Sequence, residues 1–215
     1  MMIVGCLVLL VMGAVAQTGQ LPGLGMHLLA LMLWLVVAPA WLLQRWTLTD
    51  RTQAAMLGWL LLLPAWFALL AWRPGPEQGA ALLAVMALVW IADTAAYFAG
   101  RAFGKHKLAP AISPGKSWEG VAGALLATGV YTLWVGQSGL FEFTLPWWGW
   151  LAVGWGLTAV SVIGDLLESW FKRAAGVKDS SQLLPGHGGV LDRIDSLIAV
   201  LAVSQAARYL ATHSL

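Results

Sequence analysis

The sequence predicts an all-α fold: a polytopic transmembrane bundle of about seven spans with a polar site on one side. Three observations predict it. Hydrophobic residues make up 60% of the chain and charged residues only 10%, with a mean hydropathy of +0.76. Apolar runs recur at membrane-spanning length. The ionisable groups gather in a few polar stretches rather than spreading along the chain, whereas a soluble domain carries roughly a quarter charged residues throughout.

The elements follow in order. Met1–Ala16 is a first apolar run, slightly short against the roughly 20 residues a span needs. It has no basic leader, so a cleaved signal peptide is not expected. Gln17–Gly23 is an uncharged turn with Pro22. Leu24–Leu43 is a second span, in which Pro39 predicts a kink. Gln44–Gln53 is polar. Ala54–Trp72 is a third span, and Arg73–Gly79 a short Pro/Gly turn. Ala80–Gly100 is a fourth span containing Asp93. Arg101–Lys116 is a strongly polar loop, and Ser117–Gly136 a fifth span with Glu119 near its start. Trp147 to about Phe171 is a long sixth span that carries Asp165 and Glu168. Lys172–Arg193 is a second polar loop, and Ile194 to about Thr212 is the seventh span, with Asp195 at its entrance.

Ten of the twelve basic residues fall on the stretches 44–53, 101–116 and 172–193, which seven spans place on one side. By the positive-inside rule that side is cytoplasmic. The tryptophans near run ends (Trp41, Trp46, Trp72, Trp147, Trp148, Trp150, Trp170) are expected at the headgroup boundary. A net charge of +2 without a basic run excludes a nucleic-acid binder. The single cysteine, Cys6, excludes an intramolecular disulfide and any cysteine-rich metal site; it reads as a packing or lipid-facing residue.

Seven of the ten acids (Asp93, Glu119, Asp165, Glu168, Asp179, Asp192, Asp195) lie on the cytoplasmic stretches or the spans beside them. A carboxylate at membrane depth costs at least about 2.5–3.5 kcal/mol on insertion scales, so such groups point to a water-filled functional cavity. Asp165 and Glu168 are three apart, as are Asp192 and Asp195, a spacing that puts each pair on one helix face. Two acidic faces make an oxygen cage suited to a hard cation such as Mg²⁺ whose shell substrate phosphates complete. Lys172, Arg173, Lys178 and Arg193 beside it suit phosphate oxygens, and His187 suits a phosphate donor or proton carrier. Lys116, near Ser113 and the amides around Gly115, suits an anion seat. Gly188 and Gly189 allow close approach of a phosphate, or serve only the turn.

Plainer readings stand beside these. Asp192-Arg193-x-Asp195 would also serve as an interface anchor. Asp165 would pair with Lys172 or Arg173, and Asp93 would bond a neighbouring helix. Glu119 would favour a helix N-terminus, and His187 would be a turn residue. His27, His106 and His213 read as interfacial or solvated.

Ser169-x-x-Lys172-Arg173, Lys178-Asp179, Pro185-x-His187-Gly188-Gly189 and Asp192-Arg193-x-Asp195 together resemble the signature of the phosphatidate cytidylyltransferases, the CDP-diacylglycerol synthases. Asp93-Thr-x-Ala-Tyr97, Ser113-Pro-x-Lys116-x-x-Glu119-Gly120 and Gly164-Asp165-x-x-Glu168-Ser169 are similar to further elements of that family. The resemblance runs from about residue 80 to the end. The chain is shorter than is usual for the family, as if leading spans were missing.

The resemblance implies a single membrane domain over 1–215, with N-terminal spans over 1–79 and catalytic spans and loops over 80–215. It implies transfer of CMP from CTP to phosphatidic acid, giving CDP-diacylglycerol and pyrophosphate. It implies Asp165, Asp192 and Asp195 as ligands of Mg²⁺, with a second cation such as K⁺ nearby. Lys172, Arg173, Lys178, Asp179, His187 and Arg193 are implied as further catalytic residues. Asp93, Ser113, Lys116, Glu119, Gly188 and Gly189 are implied on the substrate side. The expected setting is a homodimer in the bacterial inner membrane, its site facing the cytoplasm. The alternatives are an ion-coupled transporter using Asp93, Asp165 and Asp195 as a relay, and a cytidylyltransferase of another lipid phosphate such as an isoprenoid ether.

Overall fold

The computed structural model describes residues 24–72, 79–183 and 188–213. The expected first span, Cys6, Arg73 and His187 lie outside them. Helix α1 (Leu24–Met32) passes through a π-helical turn (Leu33–Val37) into α2 (Ala38–Gln44). Helices α3 (Arg51–Trp72) and α4 (Gly79–Phe103) follow. Then come strands β1 (Lys107–Ala109) and β2 (Ser113–Ser117), and helices α5 (Trp118–Gly136), α6 (Trp147–Ala174) and α7 (Leu191–His213).

Five stretches are long and apolar enough to cross a membrane: Gly25–Gln44, Arg51–Trp72, Gly79–Phe103, Trp147–Ala174 and Leu191–Thr212. This is a membrane protein. Helix α5 forms where the fifth span is expected, but its glycines and threonines dilute its hydropathy and it is not among the five. The kink expected at Pro39 takes the form of the π turn just before it. Proline has no N–H to give and its ring crowds the carbonyl of residue i−4, so the ladder reopens at wider spacing. At the start of α3 the Asp50 carboxylate accepts the amides of Thr52 (2.6 Å) and Gln53 (3.2 Å). Those amides, Gln53 first, hold its carboxyl below the ordinary range.

Helix α7 is the central strut. From Leu197 to Ala206 every residue is buried, against α6, α3, α1 and α4. Trp34, Trp72, Val85, Leu88, Val89, Leu157, Val160 and Leu167 complete the core around it. Helix α5 packs on α4 and α6 and leaves Leu126, Val130 and Trp134 outward, the face a lipid bath tolerates.

Small residues set the close approaches, as is usual where lipid tails compete with side chains. A Cβ at Gly120 would lie 2.9 Å from the Ala96 carbonyl, and one at Gly123 would collide with the Ala99 methyl, so α4 and α5 are nearly in backbone contact. Between α5 and α6 the Thr158 hydroxyl donates at 2.7 Å to the Gly154 carbonyl, its own helix's fourth-back partner, and stands 2.8 Å from the Thr128 hydroxyl. The Trp155 indole donates to the Leu125 carbonyl at 2.9 Å.

Two expectations need correction. The loop expected at 101–116 holds an antiparallel hairpin, with Lys107 paired to Ser117 and Ala109 to Ser113. Trp72 and Trp150, near helix ends, are covered by protein: the Trp72 indole bonds the Ser204 hydroxyl at 3.2 Å beneath the Arg208 guanidinium, and Trp150 stacks on Phe143. His27 is buried against the Tyr209 ring rather than solvated, because α1 lies directly on α7.

Candidate active site

Four elements bring the predicted acids and bases together: α4 (Asp93), the hairpin (Ser113, Lys116), the C-terminal half of α6 (Asp165, Glu168, Lys172) and the start of α7 (Asp192, Asp195). The meeting of α6 and α7 depends on Gly164. A Cβ there would lie 2.9 Å from the Ala199 methyl and 3.0 Å from the Asp195 carbonyl. The Ser196 hydroxyl donates to the Ser161 carbonyl at 3.1 Å across the same crossing. Asp165, one residue on, therefore stands beside Asp195.

The charged groups sort into two clusters. In the first, the Lys116 ammonium is ion-paired with Asp165, and Asp93 and Asp195 both lie within range of the same two charges. The Ser169 hydroxyl donates to Asp165 Oδ1 at 3.3 Å from the next turn. The lysine partner of Asp165 is thus on the hairpin; Lys172 and Arg173, its expected partners in the plainer reading, point elsewhere. In the second cluster the Lys172 ammonium lies 2.5 Å from Glu168 and 2.6 Å from Asp192 Oδ1. Glu168 and Asp192 side chains are each 8% exposed. The Glu168 contact is an ion pair by distance; neither carboxylate oxygen has a directed hydrogen bond.

Asp192 is the most heavily engaged acid. Besides Lys172, it accepts from the Ser180 amide (3.0 Å to Oδ2), the Ser180 hydroxyl (2.8 Å) and the Gly189 amide (2.6 Å). It thereby ties Ser180 and Gly189 to the start of α7. Gly188, at φ +79, and Gly189, whose added Cβ would collide with Ser180, are required by this turn. Ser180 was legible in the sequence only as a turn residue; its role at Asp192 depends on the loop's return.

The remaining predicted residues sit further out. Arg173 turns to the hairpin, its Nε 3.4 Å from the Ile112 carbonyl. Glu119 accepts the His106 amide at 3.2 Å and stands 2.6 Å from His106 Nδ1, which ties the hairpin to α5. Lys178, Asp179 and Arg193 lie exposed around the loop.

Two cavities flank α6. One, of about 610 Å³, is lined by Asp93, Tyr97, Arg101, Ser113, Lys116 and Asp165. The other, of about 400 Å³, has walls of Trp34, Leu57, Leu61 and Ile198, with Glu168 and Asp195 as its charged edge. The first has the more polar lining and the second is almost wholly apolar, with Asp165 on the first and Asp195 on the second.

The sequence comparisons converge on one family. The cytidylyltransferase family matches over residues 1–211. The chain belongs to the cytidylyltransferase family. It is 55% identical over 129 residues to the phosphatidate cytidylyltransferase of Haemophilus influenzae, a match covering 56% of this chain and 42% of that protein. It is 49% identical over 138 residues to that of Pseudomonas aeruginosa, covering 64% and 51%. It is 45% identical over 120 residues to that of Staphylococcus saprophyticus, covering 56% and 45%. The chain thus spans about half the length of the curated relatives it matches. Nothing in these matches favours a transporter.

The donor chemistry of this site suits a hard cation. Asp93, Asp165 and Asp195 gather carboxyl oxygens around one ammonium. Among the described residues no three His, Cys, Asp or Glu side chains converge on one point. Mg²⁺ needs only one or two carboxylates when phosphates and water complete its shell, so the Asp165–Asp195 pair is compatible with it. Asp192, the third ligand the family resemblance implies, already has both oxygens engaged by protein donors.

Proposed function

We propose that this chain transfers CMP from CTP to phosphatidic acid, releasing pyrophosphate and leaving CDP-diacylglycerol in the bacterial inner membrane. The observation that carries the reading is the pair of unlike cavities on either side of α6, one lined by Asp165 and the other by Asp195. A nucleotide triphosphate suits the more polar cavity, where Lys116, Arg101 and Ser113 offer donors. A diacyl lipid suits the apolar one, its phosphate toward Asp195. The basic residues around the loops favour a site that opens to the cytoplasm.

A lipid phosphate oxygen attacks the α-phosphorus of CTP. The bond from that phosphorus to the bridging oxygen of the β-phosphate breaks, and pyrophosphate leaves. A phosphomonoester is largely ionised near pH 7, so no strong general base is needed. The work of the site is in-line positioning and charge neutralisation. Asp165 and Asp195 would hold a divalent cation such as Mg²⁺, which when bound supplies positive charge for the phosphate oxygens. Lys116 orients Asp165 and offers its ammonium to the triphosphate. Lys172 is held by Glu168 and Asp192 where Ser180 and Gly189 meet the start of α7. A second copy of the chain is the expected partner.

Purified chain incubated with CTP, phosphatidic acid and Mg²⁺ is expected to yield CDP-diacylglycerol, detected by mass spectrometry, and to yield none after chelation with EDTA. Folded protein that makes no product with both substrates and Mg²⁺ present would overturn the reading. Gly164→Val tests the α6–α7 crossing. Overpacking there costs about 1–3 kcal/mol and moves Asp165 away from Asp195. A lower unfolding midpoint with at least about a tenfold loss of turnover is expected. Full activity would mean that the close approach is dispensable.

A further inference from the structure

Trp34 carries a hydrogen-bond donor that the protein does not use. It sits in the π turn between α1 and α2, is 2% exposed, and lines the apolar cavity, yet its indole Nε1 is buried with no partner. Buried indole N–H groups are normally satisfied. Four other tryptophans show the norm: Trp72 reaches Ser204, Trp155 reaches Leu125, and Trp41 and Trp170 both reach the Trp46 carbonyl. The π turn is a second irregularity at the same place, of a kind that often marks functional positions.

The chemistry of the cavity restricts what could meet that donor. An indole N–H donates only, so its partner must be an acceptor. The walls nearby are aliphatic: Leu57, Leu61, Leu62 and Ile198. A charged phosphate does not belong among these side chains. A neutral acceptor attached to long apolar chains fits both demands. The acyl ester carbonyl of a diacylglycerol phosphate is such a group.

We infer that Trp34 donates its indole N–H to an acyl ester carbonyl of the lipid substrate and so distinguishes ester-linked from ether-linked lipid phosphates. The inference rests on the lipid cytidylyltransferase reading and names the lipid class that reading leaves open. A dialkyl ether analogue has no carbonyl oxygen, and binding it leaves the buried N–H unpaired. Sites built to hydrogen-bond a substrate reject analogues that lack the group.

The test uses the whole chain in mixed micelles with CTP and Mg²⁺. Dioleoyl phosphatidic acid is compared with its dioleyl ether analogue. For the unmodified chain kcat/KM is expected to favour the ester lipid about tenfold, the scale of one buried hydrogen bond. Trp34→Phe, which keeps the ring and removes the donor, is expected to bring the ratio close to one by losing activity on the ester lipid alone, with KM for CTP unchanged. Trp34→His, which restores a ring N–H, is expected to recover part of the preference.

Equal turnover of both lipids by the unmodified chain overturns the inference without any variant. So does an undiminished preference in Trp34→Phe. Product from neither lipid would instead overturn the cytidylyltransferase reading, and the inference with it. The two failures are therefore distinguishable.

Discussion

Asp165→Asn is expected to lower CMP transfer by at least about a thousandfold, the scale seen when a preorganised charged group is removed from a phosphoryl-transfer or oxyanion site. The side chain keeps its shape, so its packing beside Gly164 and the Ser169 contact survive. What disappears is the charge between Lys116 and Asp195. The site then has one anion fewer to hold a cation, and Lys116 loses the partner that aims it. The measurement is product formation from labelled CTP beside thermal unfolding of the same sample. Activity within about tenfold of the unmodified chain, at equal stability, would remove Asp165 from the chemistry.

Asp192→Asn is expected to abolish turnover by a different route. The two oxygens of Asp192 face only donors: Lys172 on Oδ1, and the Ser180 amide, Ser180 hydroxyl and Gly189 amide on Oδ2. An asparagine offers one acceptor oxygen. Whichever way its amide is turned, its NH₂ group confronts at least one N–H donor. Each charged hydrogen bond lost costs about 1.5–3 kcal/mol locally, and the half-buried Lys172 is left to Glu168 alone. The loop around residues 177–183 should then become more sensitive to protease in the absence of substrate, while the helical bundle remains folded. In Asp165→Asn the loop should keep its protection. Combining Asp192→Asn with Lys172→Met should cost less than the two single effects added, because both remove one shared contact. Strict additivity and an unchanged cleavage pattern would show that Asp192 does not organise the loop.

The difference between Asp192 and Asp195 was not legible in the chain. Both lie in the same signature, and spacing alone treats Asp192 and Asp195 as one acidic face. Their environments separate them. Asp195 stands against the α6 backbone at Gly164, whereas Asp192, one turn earlier, meets the returning loop. The partner of Asp165 was also out of reach. Nearest-charge reasoning along α6 favours Lys172 or Arg173, but the helix carries Lys172 onto the Glu168 face and turns Arg173 to the hairpin. Lys116 arrives instead on β2, a strand that the polar composition of 101–116 concealed as loop.

Hydropathy, charge placement and residue spacing determined by themselves that this is a helical membrane protein. They also set where five of its long apolar helices run, and the family resemblance added which acids and bases belong to one signature. Those properties are one-dimensional: a run of apolar side chains stays apolar wherever the chain goes. The tertiary structure alone decided which charges meet, that two cavities of unlike lining lie on either side of α6, and that the indole N–H of Trp34 is buried unpartnered beside one of them. These depend on how closely helices can cross. That distance is set by a missing Cβ at Gly164 and by small residues at 96, 99, 120 and 123, through contacts between segments far apart in sequence.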